Sequence, residues 1–233
     1  MAHYLIEFRL RGFAKRYSQK LIKEIGKKVR VKGMKDKVSH ITLYGPFTTN
    51  NEREMVAKVL DLCRKYNRIY FSIKGINYFN NPSNKVVYLD INPSEELKLF
   101  REKLSLKLKA ITFTTSKEDT KNKADFKFHS TIAFKDINLK MNQILSYLKN
   151  IKHPNIRQTL LRVTILKNGK ILNEYDFLQK RLFNRKQSLN KKLWKRTISL
   201  LKSKTYPSTT IIQSRSVNLW NKIKSFFTKH DYY

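Results

Sequence analysis

The chain has 233 residues, 40% hydrophobic and 12% aromatic, enough to bury one sizeable core or two small lobes sharing a cleft. No run approaches the roughly 18 apolar residues of a membrane span, the first residues lack the basic-then-apolar order of a secretory signal, and a single cysteine, Cys63, excludes an intramolecular disulfide. Fifty Lys+Arg against 17 Asp+Glu give a formal net charge of +33, a field that attracts polyanions and confers salt-dependent, sequence-independent affinity for nucleic acid. A Lys-, Asn- and Ile-rich composition produces the same charge without selection for it, so charge names a partner class and not a reaction. A cytoplasmic location without integral membrane association is the expectation.

Along the chain, residues 3–10 read as a strand and 12–28 as a basic amphipathic helix, with Phe13, Tyr17, Leu21 and Ile25 at helical spacing. A Lys/Gly-rich connection leads to a strand over Val38–Tyr44, which Gly45-Pro46 is expected to break. Asn50 or Asn51 caps a helix over roughly 51–66. Strands follow at 69–78 and 85–91 around Asn80-Asn81-Pro82-Ser83, then a helix from Asn92-Pro93-Ser94-Glu95-Glu96 to about Leu108. Residues 110–127 are ambiguous. Phe128–Phe134 is a strand, Ile137–Asn150 an amphipathic helix, and 158–167 and 170–178 are strands joined at Asn168-Gly169. Strand, helix, strand therefore occurs twice, at 38–78 and 128–167. Beyond Phe183 the character changes: residues 184–233 hold 12 of the cations and one acid, Asp231, leaving about +22 on the body. Two amphipathic stretches stand there, one around Leu189, Leu193, Ile198 and Leu201 and one around Leu219, Trp220, Ile223 and Phe226, separated by Thr205–Thr210. The expected division is a body of residues 1–183 and a basic, mainly helical extension, 184–233, that packs on the body or clamps RNA.

The first strand of each repeat carries the same pattern: His40-Ile41-Thr42-Leu43 and His129-Ser130-Thr131-Ile132, 89 positions apart. Residues i and i+2 of a strand face the same side, so each His projects with its Thr while Ile41, Leu43 and Ile132 turn to the core. Two imidazoles and two hydroxyls suit phosphoryl transfer: one imidazole takes a proton from the nucleophile, the other gives one to the leaving oxygen, and the hydroxyls bond non-bridging oxygens. One such motif is nearly worthless as a signal. Two, in matching element order and using two of five histidines, are not. The bland alternative is a pair of half-buried strand histidines with satisfied hydrogen bonds.

These motifs, the duplicated order and Leu43-Tyr44-Gly45-Pro46-Phe47 resemble the 2H phosphoesterase superfamily, in particular its 2′-5′ RNA ligase and cyclic phosphodiesterase branch, over about residues 1–183. The resemblance implies an α+β fold, with two antiparallel sheets flanked by helices facing each other across a central cleft. It implies hydrolysis of 2′,3′-cyclic phosphates at RNA ends to 2′-phosphates, reversible 2′-5′ ligation in some members, and no obligatory metal or cofactor. His40 and His129 become the catalytic pair and Thr42 and Thr131 the phosphate-binding pair. The family analogy favours His129 as base and His40 as acid, which the sequence itself does not decide. One departure stands out: relatives carry an Arg three residues beyond the second Thr, and here that position is Phe134, followed by Lys135. Tyr44, Phe47 and Phe134, with Tyr78, are candidate base-stacking rings. His3, His153 and His230 lack a Thr partner and are set aside; no metal site is expected. The expected partner is RNA, tRNA or another RNA with a cyclic phosphate end, and the expected state a monomer. The alternatives are a non-catalytic module that holds RNA ends in the same cleft and a peripheral membrane protein anchored by the basic extension.

Overall fold

Two antiparallel sheets, one of six strands and one of four, carry the fold in a computed structural model that describes residues 1–81, 84–114 and 116–203. The order is β1 (Tyr4–Arg9), α1 (Gly12–Val29), β2 (His40–Thr48), α2 (Glu52–Arg64), β3 (Ile69–Asn81), β4 (Asn84–Pro93), α3 (Glu95–Leu108), β5 (Phe113–Thr114), β6 (His129–Phe134), α4 (Met141–Lys149), β7 (Ile156–Leu160), β8 (Arg162–Lys167), β9 (Lys170–Asp176), β10 (Arg181–Asn184), α5 (Arg185–Ser188) and α6 (Lys191–Lys202). The larger sheet runs β10-β9-β8-β1-β2-β5 and the smaller β6-β4-β3-β7. Each draws strands from both repeats, so the duplication visible in sequence is interleaved in space. The second amphipathic stretch of the basic extension, around Leu219–Phe226, lies outside the described residues.

Helix boundaries follow local chemistry. The Asn51 side chain accepts from the Glu54 amide and Ser94 from Leu97, each satisfying an orphan donor of the first turn. On α2, Met55, Val59, Leu62 and Cys63 turn inward; on α3, Leu97, Phe100, Leu104 and Leu108 do. These two helices pack together, α3 lying against β2 of the larger sheet and β3 and β4 of the smaller, with the Phe100 ring between Tyr66 and Phe177. Helices α1 and α4 pair elsewhere, joined by the Tyr147 hydroxyl donating to Glu24 at 2.7 Å, and α1 lies on β6.

Two boundaries differ from the sequence reading. β2 does not end at Gly45-Pro46 but continues to Thr48, with a register shift against β1. Gly45 sits at φ +104°, where an added Cβ would lie 2.9 Å from Phe47, and its amide donates to the buried Asp119 carboxylate at 2.9 Å rather than to a strand. A bulge therefore replaces the break. The strand expected at 158–167 divides at Leu161: β7 pairs with β3, whereas β8 pairs with β1 and β9 in the other sheet. Leu160 and Leu161 are both buried, which a period-two strand in a single sheet with one apolar face cannot achieve.

The extension begins inside this architecture. β10 closes the large sheet, and α6 covers its outer strands through a buried polar layer. Arg162, 3% exposed, donates to Glu174 at 2.9 Å, to Asp176 at 2.7 Å and to the Thr197 hydroxyl of α6 at 2.8 Å. The Trp194 ring of α6 has the guanidinium groups of Arg11 and Arg162 each 4.9 Å from its centre. Buried charges contribute only while fully partnered. Arg162→Met, which leaves Glu174 and Asp176 without their shared cation, is expected to cost about 3–5 kcal/mol, and Thr197→Val about 1–3 kcal/mol; urea unfolding of the two variants checks the order.

Candidate active site

β2 and β6 meet where the two sheets join. β6 is the edge of the small sheet, and β5 pairs only with Phe47 and Thr48, so the His40–Thr42 segment of β2 has an open side as well. Strand alternation does the rest. Ile41, Leu43, Ser130 and Ile132 are buried, while His40, Thr42, His129 and Thr131 are half-exposed between the sheets.

Both imidazoles are fixed by the same device. His40 Nδ1 lies 2.8 Å from the Val38 carbonyl and His129 Nδ1 lies 2.9 Å from the Lys127 carbonyl, in each case the residue two before the histidine. A carbonyl only accepts, so Nδ1 of each ring carries the proton and Nε2 is left as the reactive nitrogen. The hydroxyls of Thr42 and Thr131 bond no protein group among the described residues and remain available to a ligand oxygen.

The surroundings of the two rings differ. His40 has the buried Glu7 carboxylate 3.6 Å from its Nδ1, and Glu7 in turn accepts from Arg9 Nε at 2.6 Å. Arg9 lies directly across from His40, and Glu7 across from Thr42. His129 instead stands against aromatic rings: Phe79 meets it edge-on at 5.2 Å and Tyr88 at 5.3 Å. Burial holds the His129 imidazole below its ordinary range, against the opposing pull of the Lys127 carbonyl and Glu118; the charge of His40 lowers it further.

The candidate stacking rings divide. Tyr44 and Phe47 are each 1% exposed, so neither presents a face to a base; this overturns their expected role. Register shifts on either side of Tyr44 turn both rings into the core, where they pack on one another at 5.2 Å and the Tyr44 hydroxyl bonds Thr112. Phe134 stays half-exposed and Tyr78 is 43% exposed. Lys135, at φ +74°, ends strand alternation and lies over its own neighbour Phe134. His3 and His153 are exposed and away from the pair; His230 lies outside the described residues. Reading the sequence missed Glu7, Arg9, Phe79 and Tyr88. Glu7 left a trace, as an acid centred in the otherwise apolar Tyr4-Leu5-Ile6-Glu7-Phe8.

The family model of the 2′-5′ RNA ligase superfamily matches residues 15–170. The chain belongs to this superfamily. The match omits β1 and β10, so Glu7 and Arg9 come from outside the segment that identifies the superfamily. Among solved structures, Usb1 of Kluyveromyces marxianus is 10% identical, with 72% of this chain and 95% of that one covered at a TM-score of 0.45. A crystal structure of a phosphoesterase is 13% identical, with 78% and 92% covered at the same TM-score. Usb1 with uridine monophosphate is 13% identical, with 73% and 96% covered at 0.44. No curated protein sequence matches the chain. Among the described residues, no helix is long and apolar enough to cross a membrane.

Since burial is the larger cause of the low His129 pKa, exposing its ring must reverse the shift. In Phe79→Ala the His129 imidazole is expected to titrate closer to the ordinary value of about 6.5, and NMR titration of the ring protons of both proteins measures the difference.

Proposed function

We propose that the chain is a phosphodiesterase that opens 2′,3′-cyclic phosphates at RNA ends to 2′-phosphates. The observation carrying this reading is the matched pair of imidazoles, each anchored through Nδ1 to the carbonyl two residues before it and each accompanied by an unbonded threonine hydroxyl. Such a pair supplies one proton acceptor and one proton donor on opposite sides of a phosphorus atom.

The environments of the two rings support a division of roles. His129, kept neutral by burial, takes the proton of the attacking water. His40, with the buried Glu7 carboxylate as counter-charge, carries the proton given to the departing oxygen. Water oxygen bonds to phosphorus, the bond from phosphorus to O3′ breaks, and O3′ leaves as a hydroxyl protonated by His40. Thr42 and Thr131 donate to the non-bridging oxygens, where charge accumulates. A 5′-hydroxyl of a second RNA in place of water gives 2′-5′ ligation by the same proton transfers, and the reverse reaction restores the cyclic phosphate. Proton bookkeeping closes without a metal or cofactor. The basic body supports an RNA substrate over a small cyclic nucleotide.

The test is turnover of an oligonucleotide ending in a 2′,3′-cyclic phosphate, with EDTA present. His40→Ala and His129→Ala are each expected to lose about 10²–10⁴-fold in kcat, and Thr42→Val or Thr131→Val about 10²–10³-fold. The wild-type pH profile should be bell-shaped. Its acid limb should lie below the ordinary imidazole range, because activity falls only when pH drops far enough to protonate His129. Hydrolysis that survives loss of either imidazole overturns the mechanism. RNA binding without turnover by the wild type selects the reading in which the cleft only holds an RNA end.

A further inference from the structure

A cavity of about 750 Å³ is lined by the basic face of α1, the 30–37 loop and the end of β6, next to the two motif strands. Six lysines line it: Lys15, Lys23 and Lys27 from α1, and Lys32, Lys35 and Lys37 from the loop. All six are exposed, and among the described residues none is paired with a carboxylate. Lysines elsewhere are frequently compensated, as Lys20 is by Glu24, Lys58 by Glu54 and Lys107 by Asp61. Free cations packed around one concavity repel each other and favour an anionic occupant.

The loop is held rather than loose. The Asp136 carboxylate accepts from the amides of Lys32 at 2.5 Å and Gly33 at 3.0 Å, and Lys140 Nζ donates to the Arg30 carbonyl at 2.9 Å. A Cβ at Gly33 would fall 1.9 Å from the Phe134 carbonyl oxygen, so only glycine permits this approach to β6. One of the two acids lining the cavity, Asp136, is thus consumed in fixing the lysines beside the second motif strand.

None of the four motif side chains lines the cavity, but residues next to both motifs do. Its wall includes Val38, whose carbonyl holds His40, and Arg9, which lies across from His40; its floor is Ile132–Phe134, directly after Thr131. We infer that this cavity is an exit groove that takes the sugar-phosphate backbone of the single-stranded RNA whose end lies between His40 and His129. This inference rests on the function proposed above and specifies its substrate: a polynucleotide end over a mononucleotide. The volume accommodates a short stretch of backbone rather than a single phosphate, and half-exposed Phe134 offers an aromatic edge to a base.

The test compares the full-length wild type with Lys32→Ala/Lys35→Ala/Lys37→Ala and with a control of equal charge change on α2 and α3, Lys58→Ala/Lys65→Ala/Lys107→Ala. Fluorescence anisotropy with a single-stranded RNA bearing a cyclic phosphate end is measured over a salt series. The groove variant is expected to bind about tenfold more weakly and to lower the slope of log K against log salt by about two; the control should move neither by a comparable amount. In turnover, the ratio of kcat/KM for the oligonucleotide to that for a mononucleoside 2′,3′-cyclic phosphate should fall about tenfold in the groove variant. Equal losses in the two triple variants mean that only bulk charge is sensed, and equal losses on both substrates place the lysines in the catalytic step; either result overturns the exit groove. If the wild type turns over neither substrate, the catalytic reading fails, while the anisotropy comparison still decides the groove.

Discussion

A hydrogen bond between an imidazole Nδ1 and a carbonyl two residues upstream, made twice, sets the chemistry of this fold. A strand alone aims a side chain to one side of a sheet but leaves its ring free to rotate and to choose a tautomer. The carbonyl removes both freedoms without recruiting another side chain, because it belongs to the same strand entry as the histidine. Its requirement is that Val38 and Lys127 turn their carbonyls away from the ladder. Both do so because they stand just outside β2 and β6, which begin at the histidines themselves. The two motif histidines are therefore first residues of strands, where the backbone has an acceptor to spare.

The symmetry of that device makes the asymmetry around it informative. His40 faces the polar side of the large sheet, where Glu7, Thr164, Glu174 and Arg162 form a chain of buried charges and hydroxyls reaching α6. His129 faces Phe79 and Tyr88. One ring has a counter-charge and the other a medium that disfavours charge. Two copies of a motif in identical backbone settings thus meet different surroundings on the opposing strands. α6 is fastened to β8 and β9 through Arg162 and Asp176, and β8 pairs with β1, which carries Glu7.

What could be read in advance was whatever repeats with the period of a strand or helix. The His-x-Thr pairs, the presence of helix starts near Asn51 and Glu95, and most apolar faces were legible because each depends on neighbours within four residues. Gly45-Pro46 misled for an equally local reason: its breaker chemistry is real, but the carboxylate that accepts the Gly45 amide comes from Asp119, 74 residues away. Register shifts on either side of Tyr44 carried Tyr44 and Phe47 into the core, where proximity to the motif alone had suggested a binding role. Phe79, Tyr88, Glu7 and Arg9 reach the site by cross-strand pairing. No spacing in the sequence reveals register between strands so far apart, and sheets interleaved from two repeats make that register harder still to guess.

Net charge illustrates the limit from the other direction. A value of +33 predicts affinity for any polyanion and says nothing of where it binds. The distribution of carboxylates is more selective than that of lysines, since with 17 acids against 50 cations the informative positions are those where an acid is absent. α2 and α3 carry lysines that are matched by Asp61, Glu54 and Glu95. The basic face of α1 and the 30–37 loop leave theirs unmatched, and Asp136 is turned to the backbone instead of to a lysine. The unmatched lysines are thus gathered around the cavity that Val38, Arg9 and Phe134 also line, beside the strands that hold the two imidazoles.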